Sequence, residues 1–185
     1  ALMAGCAVVL KASPEAPSSP YLMAEICEAA GLPPGVFNVL TADRQVSEYL
    51  VRHSGVDKVS FTGSTLAGKR IASICGERIA RVTLELGGKS AGIVLDDYDL
   101  DLVAQSLSKS ATYLTGQACS SLTRIIVSKH RQSQLLEAMA HHFGQIKVGD
   151  PFDAQTGMGP LATAKHRERV EGFIAKGCDG GGKLV

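Results

Sequence analysis

The feature that most narrows the fold of this chain is a regular alternation of short apolar runs with segments of helical periodicity. Ala7 to Lys11 (AVVLK) is a nearly continuous apolar run, the pattern of a strand buried on both faces of a parallel sheet. Pro20 to Ala30 then places Leu22, Met23, Ile26 and Ala30 at the helical period, with Gly31 and Pro33-Pro34 as stop signals. The pattern predicts strands at Val36–Leu40, Lys58–Phe61 and Ala80–Leu86, with helices at Gln45–His53 and Leu66–Cys75 between them. Connections of a few residues imply right-handed crossovers and a parallel, doubly wound sheet, whose ligands bind at the carboxyl ends of the strands. Beyond Gly87-Gly88 the alternation resumes, with strands at Gly92–Leu95 and Arg124–Ser128 and helices at Leu100–Tyr113 and Arg131–Ile146. A loop from Val148 to Pro160, rich in Gly, Asp and Pro, leads into a last helix at Thr163–Lys176. Two α/β lobes are therefore expected, divided at Gly87-Gly88.

Composition limits what such a chain does. Of its 185 residues 45% are hydrophobic and 20% charged, the balance of a compact globule and not of a disordered chain. Nineteen Lys and Arg against eighteen Asp and Glu give a formal net charge of +1, too weak a field to gather phosphate backbones or anionic lipids. Neither nucleic acid nor a membrane surface is an expected partner. No stretch approaches the roughly 18 uninterrupted apolar residues of a membrane span. The apolar start stops at Lys11 and lacks a basic leader, so no secretory signal is expected and the cytoplasm is the expected location. Cys6, Cys27, Cys75, Cys119 and Cys178 are scattered without a CxxC pair, which predicts reduced thiols and no metal site. Ala1 stands where an initiator Met would, and Gly181-Gly182-Lys183-Leu184-Val185 reads as the start of another strand. Both ends look cut, and an internal fragment is expected.

Three places carry candidate chemistry, each with a plain alternative. Cys119, in Gly116-Gln117-Ala118-Cys119, follows a long helix; it is a nucleophile only if its thiolate is populated, and otherwise a small buried hydrophobe. Glu85 ends a strand with Gly87-Gly88 close behind, where a parallel-sheet enzyme would keep a mobile general base; the alternative is a charged strand end paired with Lys89. In Phe61-Thr62-Gly63-Ser64-Thr65 a strand turns into a helix, where Gly63 would turn tightly and Ser64 would lie near a helix N-terminus suited to a phosphate. Ser64 or Thr62 as an ordinary N-cap explains the same residues. Lys11, at the end of the first strand, faces the same sheet edge.

Val82-Thr-Leu-Glu-Leu-Gly-Gly-Lys-Ser90 and Gly116-Gln-Ala-Cys119 resemble the two active-site signatures of the NAD(P)-dependent aldehyde dehydrogenases. Gly31-Leu-Pro-Pro-Gly-Val-Phe-Asn-Val39, Lys58-Val-Ser-Phe-Thr-Gly-Ser-Thr65 and Gly157-Met-Gly-Pro160 resemble further segments of that family in the same order, so the likeness spans essentially the whole chain. The resemblance implies an aldehyde dehydrogenase-like α/β fold, incomplete at both ends. Residues 1–86 would be the latter part of the dinucleotide-binding domain and 87–185 the first part of the catalytic domain. It implies Cys119 as the nucleophile that forms a thiohemiacetal and then a thioester, and Glu85 as the base that activates water to hydrolyse it. It implies Lys11 at the adenine-side ribose, Gly63 and Ser64 at the pyrophosphate and Leu86 beside the nicotinamide, with the backbone N–H of Cys119 supplying half an oxyanion hole.

Some positions depart from the family pattern. Pro14 stands where many NAD-preferring members carry a ribose-binding glutamate, which leaves the choice between NAD and NADP open. Ala42 and Ser47 occupy a loop that is often glycine-rich, and Thr115 and Ser121 flank the nucleophile where other residues are commoner. The family's second oxyanion donor, an asparagine, would lie before residue 1, and its Glu-x-Phe-Gly-Pro cofactor clamp after residue 185. The expected function is oxidation of a small-molecule aldehyde to the acid with NAD or NADP by a homo-oligomeric parent, the fragment alone being inactive. The alternatives are a CoA-acylating relative and a non-catalytic nucleotide-binding or structural protein that keeps the fold.

Overall fold

A computed structural model describes residues 1–184. The chain forms two compact units, Ala1–Leu86 and the segment from Gly87 onward. The first contains β1 (Val8–Ala12), α1 (Ser18–Ala29), β2 (Phe37–Thr41), α2 (Arg44–Arg52), β3 (Lys58–Gly63), α3 (Thr65–Glu77) and β4 (Arg81–Leu86). The second contains β5 (Ser90–Val94), α4 (Leu100–Thr112), β6 (Leu122–Val127), α5 (Gln132–Gly144) and α6 (Ala164–Asp179). Each apolar run expected as a strand in residues 1–128 is one, and each helix lies within a few residues of its expected bounds. The strand expected from Gly181 is not formed over residues 181–184; Val185 lies outside the described residues. α6 runs on to Asp179, and the Gly181 and Gly182 amides donate back to the Cys178 and Gly177 carbonyls at 2.9 Å, closing the helix end instead of starting a strand.

All strand pairing among the described residues is parallel. Among the described residues it is organised as three two-stranded sheets: β1 with β2, β3 with β4, and β5 with β6. Four of the six α-helices among the described residues begin on side-chain caps that the sequence supplies. Asp43 accepts from the Val46 amide at the start of α2, Ser64 from Ala67 at α3, Asp99 from Asp101 and Leu102 at α4, and Thr163 from His166 at α6. Each such cap stabilises its helix by about 0.5–2 kcal/mol, because a first-turn N–H would otherwise lack an acceptor.

Packing differs between the units. In the second, Val94, Ala104, Leu107 and Leu135 form a buried cluster, and Leu122, Ile125 and Val127 of β6 pack on it. In the first, Ile74 and Cys75 of α3 are fully buried, while α2 is tied to α3 by charge. Glu48 on α2 accepts from Arg52 at 3.1 Å and from Arg70 of α3. The Arg70 hydrogen bonds, aided by Arg52, hold the Glu48 carboxyl well below its usual range, at about 2. No helix among the described residues is long and apolar enough to cross a membrane.

Candidate active site

In the first unit Gly63, Ser64, Glu85 and Leu86 come together at one end of the β3–β4 pair. The parallel register sets Thr62 beside Glu85 and Gly63 beside Leu86, so the chain leaves the pair at Ser64 on one strand and Gly87 on the other. Glu85 is exposed and Leu86 half-buried. Gly63 does not make the expected tight turn: it closes β3 without entering the left-handed region, and a Cβ there would lie 2.5 Å from the Phe61 ring. Its missing side chain serves packing. Ser64 is an N-cap, its hydroxyl accepting from the Ala67 amide at 3.3 Å, while the Gly68 amide donates to the Ser64 carbonyl at 2.9 Å. The Thr65 and Leu66 amides have no acceptor among the described residues. Gly68, which sequence reading passed over, lets α3 lie against the end of β4, because a Cβ there would come within 2.6 Å of Leu86 Cδ2. A lone glycine inside a helical pattern was the available signal.

Lys11 belongs to the other strand pair. It is half-buried on β1 opposite Leu40, one residue before the strand ends at Ala12. Pro14 lies beyond it in an exposed turn, where the Ser13 hydroxyl donates to the carboxylate of Glu15. A carboxylate thus stands one residue after the position that Pro14 occupies.

In the second unit Cys119 sits on an exposed loop between α4 and β6. After α4 the chain makes a tight turn over Tyr113–Gly116 in which Leu114, Thr115 and Gly116 all take positive φ, at 49°, 58° and 72°. For Leu and a β-branched Thr this is unfavourable, costing about 1–3 kcal/mol each, and it persists only where the surroundings enforce it. The enforcement is visible. The Gln117 amide and its side-chain Nε2 both donate to the Leu114 carbonyl at 3.1 Å. The Thr115 hydroxyl donates to the Gly159 carbonyl at 3.2 Å, and the Ala162 amide donates to Gln117 Oε1 at 3.4 Å. The Ser121 amide closes the loop onto the Ala118 carbonyl at 3.3 Å, and the Cys119 amide has no acceptor among the described residues. Ser121 is 6% exposed, and its hydroxyl is buried without a partner.

The segment that receives these bonds is itself braced. The Gly157 and Met158 amides donate to the Lys147 carbonyl, Gly149 donates back to Met158, and Lys147 Nζ pairs with Asp153 at 2.7 Å. The Lys147 ammonium, with the Gln155 amide, holds the Asp153 carboxyl below its ordinary range. A cavity of about 710 Å³ lies between the end of α4, the left-handed turn and this loop, lined among others by Thr112, Tyr113, Thr115, Pro151 and Met158. Its lining reaches Gln117, two residues short of Cys119. Glu85 is the penultimate residue of the first unit and Cys119 lies in the second.

Comparison with known proteins places this arrangement among relatives. The family model for the aldehyde dehydrogenase family matches residues 1–185. A geranial dehydrogenase from Castellaniella defragrans is 49% identical over 177 residues, which is 96% of this chain and 37% of that protein. A betaine aldehyde dehydrogenase from Rhizobium etli is 42% identical over 185 residues, which is 100% of this chain and 38% of its own length. Among solved structures, an aldehyde dehydrogenase from Mycobacterium tuberculosis complexed with NAD+ superposes with a TM-score of 0.96 at 37% identity, covering 100% of this chain and 38% of the other. The chain therefore spans under two-fifths of the length of the relatives it matches.

Proposed function

The chain belongs to the aldehyde dehydrogenase family and has its α/β fold, and from that premise we propose that the whole protein oxidises an aldehyde to a carboxylic acid, with Cys119 as nucleophile and Glu85 as general base. The observation that carries the reading is the setting of these two residues. One is an exposed thiol whose own backbone N–H is unspent; the other is an exposed carboxylate at the carboxyl end of a parallel strand. The Cys119 thiolate adds to the aldehyde carbon, and the backbone N–H of Cys119 donates to the oxyanion that forms. Loss of hydride from the thiohemiacetal leaves a thioester on Cys119. Glu85 takes a proton from water, the hydroxide adds to the thioester carbon, and the acid departs as the thiolate is restored. A retained Glu85 favours water over a thiol such as CoA as the acceptor.

The residues present fit a nicotinamide dinucleotide, the cofactor of several structural relatives, which when bound supplies the hydride acceptor. Two free amides, Thr65 and Leu66, at the N-terminus of the 13-residue α3 suit a pyrophosphate. Gly63 and Ser64 would lie at that pyrophosphate, Lys11 at the adenine-side ribose and Leu86 beside the nicotinamide. NAD and NADP both fit, because Pro14 brings no carboxylate of its own to repel a 2′-phosphate. Pro14→Glu is expected to shift preference toward NAD; a parent with more than about a thousandfold preference for NAD, roughly 4 kcal/mol, would refute this part of the reading.

The direct test is aldehyde-dependent NAD(P)H formation by the whole protein and by its Cys119→Ala form. Turnover that survives loss of the thiol sinks the assignment.

A further inference from the structure

The turn that precedes Cys119 places two non-glycine residues in the left-handed region one after the other, and nothing in their local sequence favours that conformation. Long-range hydrogen bonds hold it: Thr115 reaches a carbonyl 44 residues away, and the amide that reaches Gln117 is 45 residues away. Both anchors lie on one segment, Gly159 to Ala162, directly after the braced loop from Lys147 to Met158. Thr115 is half-buried, so its hydroxyl bond to the Gly159 carbonyl is partly sheltered from competing water. The other residues of the turn have no comparable hold, since Leu114 is 61% exposed and offers only a carbonyl to Gln117.

We propose that Thr115 is a positioning residue for Cys119, its hydroxyl tying the left-handed Leu114–Gly116 turn to the Gly159 carbonyl and so fixing where the thiol sits. The proposal rests on the reading of Cys119 as the nucleophile, but the tether itself does not depend on the reaction. A Val side chain keeps the branching and shape of Thr and loses only the hydroxyl, whereas Ser keeps the hydroxyl and loses the methyl. The tether therefore predicts that the two substitutions act differently. Misplacement of a reacting group by an ångström costs on the order of a hundredfold in rate, and a loosened turn costs somewhat less.

The test uses the whole protein, with Thr115→Val, Thr115→Ser and Thr115→Gly compared by kcat, KM and the rate of iodoacetamide labelling at Cys119 followed by mass spectrometry. The expected result is a kcat about tenfold to a hundredfold lower for Thr115→Val with KM little changed. Thr115→Ser should recover most of the rate, and the labelling rate should shift severalfold in the Val form alone of these two. Thr115→Gly adopts positive φ without strain and so keeps the fold attainable if the Val form is unstable. It too should be slow, because it has no hydroxyl. A Gly form as active as the parent, Val and Ser forms equally slowed, or a Val form with parent kcat and labelling rate would each overturn the proposal. If the parent oxidises no aldehyde, the reading of function fails by itself. The labelling rates still decide the tether, because they need no turnover: a rate altered in Val and restored in Ser supports it, and equal rates overturn it.

Discussion

The two proposed catalytic residues are held in opposite ways. Glu85 stands near the end of a regular strand, its backbone set by the parallel register that pairs it with Thr62, and Gly87-Gly88 comes directly after the last strand residue, Leu86. Cys119 stands on a loop with no ladder, behind a turn in which Leu114 and Thr115 adopt a conformation costing about 1–3 kcal/mol each for L-residues. A base placed by backbone hydrogen bonds keeps a free side chain, which suits a group that meets water in one step and retreats in another. A nucleophile must instead stay where the substrate arrives, and here its loop is pinned from residues more than forty positions away. The same unit that holds the thiol also holds the clustered apolar core around Leu107 and Leu135.

The two residues should fail differently when removed. Cys119→Ala should cost at least about 10⁴-fold in turnover and abolish the first turnover as well, because no covalent intermediate can form. Glu85→Gln should lower steady-state turnover by about 10²–10⁴-fold while a rapid first burst of NAD(P)H persists, since hydrolysis alone has lost its base. A stopped-flow trace without a burst in the Glu85→Gln form would place Glu85 in the first step and dissolve the contrast. The next effect is on stability. Ile79 also has positive φ, at 54°, but it is 93% exposed, its amide makes only a local bond to the Gly76 carbonyl at 3.2 Å, and the nearest side-chain bonds are those of Arg78 to the Val51 and Val56 carbonyls. Ile79→Gly relieves the strain but loses part of that gain to chain entropy, so a net gain of about 0.5–1 kcal/mol is expected in denaturant melts. A loss there would show that the left-handed turns of the two units are not distinguished by their tethers.

The smallest effect concerns acid. Glu48 has a carboxyl lowered from 4.5 to about 2 by Arg70 and Arg52, so its contribution is present above about pH 4.5 and is lost as pH falls toward 2. The Tm difference between the parent and Glu48→Gln should therefore be small at neutral pH and should shrink between pH 4.5 and 2. A difference that grew on acidification would contradict the sign of the linkage. Cys119 and Glu85 lie outside this charged network, so alkylation of Cys119 should not track the same acid transition.

Much of the fold was legible because its signals are local. Apolar runs of five or six residues, helical spacing and Asp, Ser and Thr caps recur along the chain, and the elements fall where those patterns put them. The misreadings share a cause as well. Gly63 was expected to supply a turn, yet it supplies room beside Phe61, a property of packing. The strand expected from Gly181 rested on composition alone, and the Gly181 and Gly182 amides instead donate back to the end of α6. Gly68 carried no expectation, since a helix glycine reveals its use only when Leu86 is found 2.6 Å from where a Cβ would be.

The sequence by itself determined the order of strands and helices and the family, and it named the two residues on which the chemistry is proposed to turn. Periodicity, caps and short motifs act over a few residues and survive being read without coordinates. Only the tertiary structure decided how the Cys119 loop is shaped. A left-handed Leu and Thr run against local preference, so no propensity announces them, and they exist because Gly159 and Ala162 are brought close enough to accept and donate the bonds that hold them.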